Sequence, residues 1–190
     1  TVGDAGLCPL RHNPFWVMPE VSVVTHIDNL KSIFNASFSL YGPMPYILEK
    51  CLANIYKMKG WNLTTGEHNH VKIEKFEDSK NNKYIYPSLK DLKDEINRYV
   101  KEEMEYKGEL QDNIRTAIIA RIDSLSVGAK GFLFNTYEFV NIEKLLEESA
   151  VFELESLVDD DDKAFFVGLM LALISEYRQS KSRNSALNSD

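Results

Sequence analysis

Residues 45–56 read PYILEKCLANIY, and their apolar side chains recur at the spacing of an α-helix. Six of them fall on one helical face: Ile47, Leu48, Cys51, Leu52, Ile55 and Tyr56. Pro45 suits the first turn of such a helix, since the backbone N–H that proline lacks would have no partner there. Tyr41-Gly42-Pro43 breaks the chain just before it. The stretch therefore predicts an amphipathic helix that buries one face in an apolar core.

Helical patterns continue on both sides of this stretch. We expect further helices at about residues 25–36, 88–104, 109–126, 141–148 and 163–178. Two of the starts have the spacing of a capping box, with Asp in place of the usual Glu or Gln: Thr25 with Asp28, and Ser88 with Asp91. Residues 109–126 gather their apolar side chains on one face and are expected to form the most amphipathic helix. Residues 163–178 are apolar almost all round, so that helix should be fully buried in the intact protein.

The remaining segments are expected to be extended or irregular. Residues 1–20 hold three prolines among aromatic side chains, which is typical of an extended connector. Residues 59–83 are polar and rich in Asn, Gly and Lys, and predict a long surface loop with at most a short strand. Residues 150–154, with the sequence AVFEL, favour a central strand. The fold class expected from these patterns is mainly α with a minor β component.

The composition indicates a folded domain without a strongly basic surface. The 190 residues are 44% hydrophobic and 27% charged, close to the averages for globular proteins, so one domain with its own core is expected. The formal net charge of −7 argues against a main nucleic-acid-binding surface, because such surfaces concentrate Lys and Arg. A solvated surface of mixed charge is expected instead.

The sequence favours a cytoplasmic location. The two cysteines, Cys8 and Cys51, are too few for a disulfide framework and indicate a reducing compartment. The longest apolar run, residues 164–174, is shorter than the roughly 20 residues that cross a bilayer, and no signal peptide opens the chain. The start, Thr1-Val2-Gly3-Asp4, lacks Met and is typical of the exit of a strand, so we expect the chain to be part of a longer protein.

Three short motifs have a catalytic or metal-binding composition but favour structural interpretations. Residues 128–131, GAKG, lack the GxxxxGK[ST] spacing of a phosphate-binding loop and predict a turn. Glu67, His68 and His70 offer too few ligands for a structural zinc site, so a solvent loop is favoured over the metal site of a nuclease. Residues 159–162 are four aspartates without the pattern of a calcium loop, and they suit a helix N-terminus. We therefore expect no metal site.

Two positions stay open between structural and functional roles. Arg121 falls within the apolar face of the 109–126 helix, where an unpaired guanidinium would be costly. It can reach solvent, pair with a carboxylate, or contact a phosphate or a neighbouring subunit. Glu153 and Glu155 would point the same way on a regular strand, and the simpler interpretation is exposed or ion-paired acids at a strand end.

Several short segments, in their order along the chain, resemble the part of HerA-type P-loop ATPases that lies between the Walker A loop and the Walker B strand. They are Gly3-Asp4, Asn13-Pro14-Phe15, His26 with Phe34, Tyr41-Gly42-Pro43, Gly60-Trp61, residues 63–66 (LTTG), residues 86–89 (YPSL), Arg121 with Ser124-Leu125, residues 128–135 (GAKGFLFN), Glu153-Leu154-Glu155, residues 160–165 (DDDKAF) and Tyr177-Arg178. The specificity of the resemblance lies in their order and spacing, since none of them is diagnostic alone.

The resemblance implies a RecA-like motor that assembles as a homo-hexamer on double-stranded DNA. No membrane association is expected, and a nuclease is a candidate partner. ATP and Mg are expected for that parent protein. Neither GKS/GKT nor an acidic Walker B strand occurs in this sequence, so this fragment is expected to hold no catalytic residue and no cofactor of its own. The candidate residues near a nucleotide or a subunit interface are Arg121, Glu155 and Asn13.

By the order of the family, the chain divides into four parts. They are an extended connector at residues 1–20, a helical insertion at 21–148 with a polar loop near 66–83, a core strand and buried helix at 149–178, and a flexible tail at 179–190. The fold would then be a helical insertion plus a strand-helix piece of a RecA-like α/β ATPase core. The expected function is a fragment of a DNA-translocating, helicase-like ATPase, which contributes subunit or partner contacts and is inactive alone. The alternative is a stand-alone helical protein-interaction module.

Overall fold

The computed structural model describes residues 10–105, 107–148 and 150–187, with side chains up to residue 182. These residues are mainly helical, as predicted. Their helices are α1 (Val23–Phe38), α2 (Met44–Met58), α3 (Phe76–Asn81), α4 (Leu89–Glu102), α5 (Glu109–Ser124), α6 (Gly128–Phe134), α7 (Ile142–Glu147) and α8 (Asp160–Leu187), with a 3₁₀ turn at Lys83–Ile85. The expectations for Gly3-Asp4 and Cys8 concern residues outside these ranges.

The first two helices show how local chemistry sets their bounds. α1 begins before the predicted start, because Ser22 and not Thr25 is its N-cap: Ser22 Oγ accepts a hydrogen bond from the Val24 N–H at 3.3 Å. α2 confirms the prediction, since Pro45 lies in its first turn and the whole apolar stripe is buried.

The helices pack around one apolar core. α1 lies between α8 and α2, α2 packs on α4, α4 packs on α5, and α7 lies against α8. Aromatic rings fill the junctions: the Phe165 ring lies 4.9 Å from the Phe34 ring and 5.2 Å from the Phe134 ring, between centroids. The buried core includes residues from Phe15 to Leu173. The segments before and after residue 149 therefore share a core.

The polar segment 59–83 is more ordered than a loop with one short strand. Trp61 and His68 form an isolated antiparallel bridge. Residues Phe76–Asn81 form a helix because the Asp78 carboxylate accepts hydrogen bonds from the N–H groups of Glu74 and Lys75 at 3.1 and 2.9 Å. Further on, the capping box of Ser88 with Asp91 is confirmed at the start of α4.

Two expectations for the middle of the chain are wrong. α5 is not the most amphipathic helix, since only Ile114, Ile118 and Ile122 are buried on it and Leu110 is 54% exposed. α4 buries a broader face. Residues 128–131 do not form a turn but begin α6. A glycine suits position 131, because a Cβ there would lie only 2.3 Å from the Ser126 carbonyl oxygen.

The C-terminal segment also differs from the prediction. Asn141 caps α7 as expected, but residues 150–154 form no strand, because no other strand in the described ranges offers them a partner. Phe152 instead packs against Phe166, with ring centroids 5.4 Å apart.

The last helix is longer than predicted and only half buried. α8 begins in the aspartate run, as expected, and continues past residue 178 to Leu187, into the segment predicted to be a flexible tail. Its inner face is buried, but Val167 is 43% exposed and Leu171 is 61% exposed. Full burial of this helix is therefore not achieved within the described residues. None of the helices in these ranges has the length and apolar character to span a membrane.

Candidate functional site

Two ionisable side chains are fully buried where α1 meets α8. His26 Nδ1 lies 3.0 Å from Glu176 Oε1 and 3.2 Å from Oε2, and its Nε2 lies 3.0 Å from the carbonyl oxygen of Pro14. Asn29 Nδ2 donates a further hydrogen bond to Glu176 Oε1 at 2.7 Å. The pair thus joins the N-terminal segment, α1 and α8 in one buried polar network.

The partners of His26 favour its charged form. Burial alone would lower the pKa of His26, but the charge and hydrogen bond of Glu176, with the Pro14 carbonyl, outweigh burial and raise that pKa above its ordinary value. Both neighbours are acceptors, so an imidazolium that donates from both nitrogens satisfies both of them. The pair is best described as a buried ion pair.

His12 lies nearby in the opposite state. Its side chain is fully buried, and burial together with the charge of His26 lowers its pKa to about 3. The neutral ring accepts a hydrogen bond at Nδ1 from the Val140 N–H at 3.2 Å. The surroundings of the two buried histidines therefore shift their pKa values in opposite directions.

Asn13, one of the three candidate residues, is a structural anchor beside this network. It is 1% exposed. Its Nδ2 donates to the Pro87 carbonyl at 2.8 Å, and its Oδ1 accepts from the Phe15 N–H at 3.0 Å. Its own N–H donates to the Glu138 carbonyl at 2.7 Å. The amide ties the predicted connector to the segments before α4 and before α7.

An open groove of about 340 Å³ lies beside the same segments. It is lined by Trp16, residues 18–20, the starts of α3 and α7, and the C-terminal part of α8. Its charged residues are Glu20, Glu74, Lys75, Glu77, Glu143 and Lys181. Carboxylates outnumber amines in this lining, and Lys181 is paired with Glu143 at 2.6 Å, a hydrogen bond that lowers the pKa of Glu143. The groove therefore lacks the concentrated positive charge that binds polyphosphates.

Arg121, the second candidate, caps the end of α1. Its Nε donates to the carbonyl oxygen of Phe38, the last residue of α1, at 2.9 Å, and its Nη1 donates to the Ala117 carbonyl at 2.7 Å. The side chain is half buried. These bonds account for its place on an otherwise apolar face, because the guanidinium satisfies the Phe38 carbonyl, which the end of α1 leaves without a helical partner, and adds a second bond to the Ala117 carbonyl within α5.

Glu155, the third candidate, is exposed in the turn before α8. Within the described ranges, no hydrogen bond or ion pair joins any two of Asn13, Arg121 and Glu155. The sequence therefore identified one exposed residue and two residues that hold backbone in place. The structure does not bring them together at a common site.

The histidines of the polar loop are engaged in its own structure. His68 Nε2 lies 2.8 Å from the Lys59 carbonyl, and its Nδ1 accepts from the N–H groups of His70 and Val71 at 3.2 and 3.1 Å. Both nitrogens of the ring are therefore occupied by the loop. Across the described part of the chain, no three His, Cys, Asp or Glu side chains gather as metal ligands would.

An ion pair joins the lysine of the GAKG motif (residues 128–131) to the aspartate run (residues 159–162). Lys130 Nζ lies 2.7 Å from Asp162 Oδ2, and the Asp162 side chain is only 4% exposed. Lys130 is thus held by a carboxylate rather than open to a phosphate. The pair fixes the start of α8 against α6.

The most buried charged pair was not identified from the sequence, although a signal was present. Glu176 falls on the same face of α8 as Leu169 and Leu173, at helical spacing, and His26 falls with Leu30 on the buried face of α1. A charged residue on each of two apolar faces indicates a pair when the faces pack together. The pairing of His26 with Glu176 could not be predicted, because the two residues are 150 positions apart and no local pattern indicates that α1 packs against α8.

Comparisons with protein-family models, with curated proteins and with solved structures found no match to this chain.

Proposed function

We propose that this chain is an internal part of a cytoplasmic, HerA-type, DNA-translocating ATPase, between its Walker A and Walker B elements. In this role the chain contributes a helical insertion and contacts to subunits or partners, and it is inactive alone. The parent would use ATP and Mg and form a homo-hexamer on double-stranded DNA, with a nuclease as a candidate partner.

One observation carries the proposal. Segments that resemble the family, although far apart in sequence, contact one another through buried polar and aromatic groups. Asn13 binds the Pro87 carbonyl, His26 binds the Pro14 carbonyl, and the Trp61 ring lies 5.7 Å from the Tyr86 ring. The resemblance rests on the order and spacing of these segments along the chain. Contacts between the segments support the proposal, because they give a physical reason for that order and spacing.

Two measurements test the proposal. The coding sequence around the chain is expected to encode GxxxxGK[ST] upstream and an acidic Walker B strand downstream. The isolated chain is expected to show only background ATP hydrolysis with Mg, because phosphoryl transfer needs both of those elements. Stop codons close to both ends, or robust Mg-dependent turnover by the isolated chain, would contradict the proposal.

A second candidate is a stand-alone helical protein-interaction module. The continuous core from Phe15 to Leu173 favours it, because the proposed insertion and the proposed piece of the ATPase core pack together rather than separately. The same coding sequence separates the two candidates. A reading frame that ends near both termini of the chain supports the module.

A further inference from the structure

The outer face of α8 carries a straight row of exposed residues. Asp160, Ala164, Val167, Leu171 and Arg178 all face solvent. At 3.6 residues per turn they fall on one narrow stripe, and Asp160 and Arg178 lie about five turns, or roughly 27 Å, apart along the axis. The row is therefore acidic at one end, apolar in the middle and basic at the other end.

The row is symmetric about its centre, so two antiparallel copies of it would match residue for residue. The midpoint between Asp160 and Arg178 is position 169, which is also the midpoint between Val167 and Leu171. When two copies of α8 lie antiparallel with a two-fold axis at that position, Asp160 of each copy meets Arg178 of the other. Val167 of each copy then meets Leu171 of the other, and Ala164 meets Ile174.

We propose that the outer face of α8 is a dimerisation surface, and that its occupant is a second copy of this chain in antiparallel orientation. A two-fold interface uses the same patch on both subunits, so the patch must be complementary to itself. The reversed row meets this requirement with opposite charges at both ends and apolar side chains between them. The proposal does not depend on the parent being an ATPase.

The charges around the row specify the orientation. At the N-terminal end, Asp159, Asp160 and Asp161 are exposed, and Lys163 lies 3.1 Å from Asp160, so that end stays net negative. A parallel pair would bring these aspartates together, and like charges across an interface are unfavourable. The antiparallel pair brings them to Arg178.

The apolar centre would supply most of the affinity. Val167 and Leu171 lose solvent contact in the pair, whereas ion pairs at an exposed rim contribute little affinity and mainly set register. One helix from each copy buries less surface than a standard protein interface, so we expect a weak, concentration-dependent dimer.

Sedimentation equilibrium of the 190-residue chain over a wide concentration range tests the surface itself. The wild-type chain is expected to dimerise reversibly, and Leu171→Glu is expected to weaken the dimer at least about tenfold by placing a charge at its apolar centre. Met58→Glu is the matched control, since Met58 is 72% exposed on α2 and away from the row. A wild-type chain that stays monomeric, or a Leu171→Glu chain that dimerises like wild type, overturns the proposal.

A charge-swap experiment tests the orientation. Asp160→Arg and Arg178→Asp are each expected to weaken the homodimer, because each places like charges at both ends of the antiparallel pair. A mixture of the two variants is expected to restore dimerisation as a heterodimer, which native mass spectrometry identifies by its mass. In the mixture each introduced residue faces an opposite charge.

The control for the swap is a mixture of Asp161→Arg with Arg178→Asp. Asp161 is also exposed in the first turn of α8, but it lies about 100° around the helix from the row. The net charges of the two chains are the same as in the test mixture, so attraction between oppositely altered chains is matched. Equal heterodimer formation in both mixtures would overturn the antiparallel register.

Discussion

His26 and Glu176 are 150 residues apart in sequence, yet Nδ1 of the histidine lies 3.0 Å from Oε1 of the glutamate. Both side chains are almost completely excluded from solvent. The N-terminal segment contacts the same ring through the Pro14 carbonyl. The last helix is thus joined to the start of the chain by a buried ion pair, which makes its protonation state part of the stability of the fold.

The first prediction concerns this pair. Glu176→Gln is expected to lower the free energy of unfolding by about 3 kcal/mol, because it removes the charge that stabilises the buried imidazolium. The folded pKa of His26 is raised, so the contribution of the pair is fully present below the unfolded pKa of about 6.5 and is lost as pH rises through the folded pKa. Urea unfolding at several pH values is expected to show the largest loss below pH 6.5.

Glu143→Gln is the matched control for that measurement. Glu143 also pairs with a basic side chain, Lys181, but on the surface, so the expected loss is under about 1 kcal/mol. A Glu176→Gln chain as stable as the Glu143→Gln chain at pH 6 would contradict the assignment of a buried ion pair.

The second prediction concerns His12. Its folded pKa is lowered to about 3, so the unfolded chain binds a proton that the folded chain excludes as pH falls below about 6.5. Wild-type stability is therefore expected to fall by about 1.5 kcal/mol between pH 6.5 and pH 5 from this residue alone. His12→Gln is expected to flatten that slope whatever its effect on stability at pH 7. An unchanged slope would show that His12 does not titrate in this way.

The helices were largely predictable because their signals are local. The apolar spacing that ends at Tyr56, the capping box of Ser88 with Asp91 and the Asn141 cap each act within a few residues, and the structure bears them out. The strand expected at residues 150–154 failed because a strand needs a partner, which a local pattern does not supply.

The site was less predictable because its contacts span the chain. Arg121 was correctly singled out as a charge on an apolar face, but its partner, the Phe38 carbonyl, lies 83 residues away. The family resemblance makes Asn13 a candidate residue near a nucleotide or a subunit interface. In the structure its side chain binds the Pro87 carbonyl, 74 residues away. Sequence indicates which polar residues require partners, whereas only the packing of helices identifies those partners.

The third prediction uses two glycines with positive φ. Gly66 has φ +81, and a Cβ there would lie 2.3 Å from Ser22 Oγ, the N-cap atom of α1. Gly66→Ala is expected to cost about 2–4 kcal/mol, from backbone strain and this overlap together. Gly42 has φ +56 with nothing within 4 Å of its Cβ position, so Gly42→Ala is expected to cost only about 1 kcal/mol. Equal losses on thermal or urea unfolding would contradict the close contact at Ser22.

The fourth prediction separates the structural role of Arg121 from a role in the proposed parent. Arg121→Met keeps most of the apolar stem but removes the donors to the Phe38 and Ala117 carbonyls, so we expect a loss of about 1–3 kcal/mol in urea unfolding of this chain.

In the proposed full-length ATPase parent, we expect Arg121 also to contact a phosphate or a neighbouring subunit. Arg121→Ala is therefore expected to lower ATP turnover even when turnover is calculated per folded molecule. Stability and turnover must therefore be measured on the same preparations, with turnover normalised to the folded fraction. Lys93→Ala serves as a comparison, because it breaks a different half-exposed contact of α5, the ion pair of Lys93 with Asp123 at 2.7 Å. If Arg121→Ala lowers stability while turnover per folded molecule is unchanged, the guanidinium acts only as the cap of α1, since the two carbonyl bonds already account for its position.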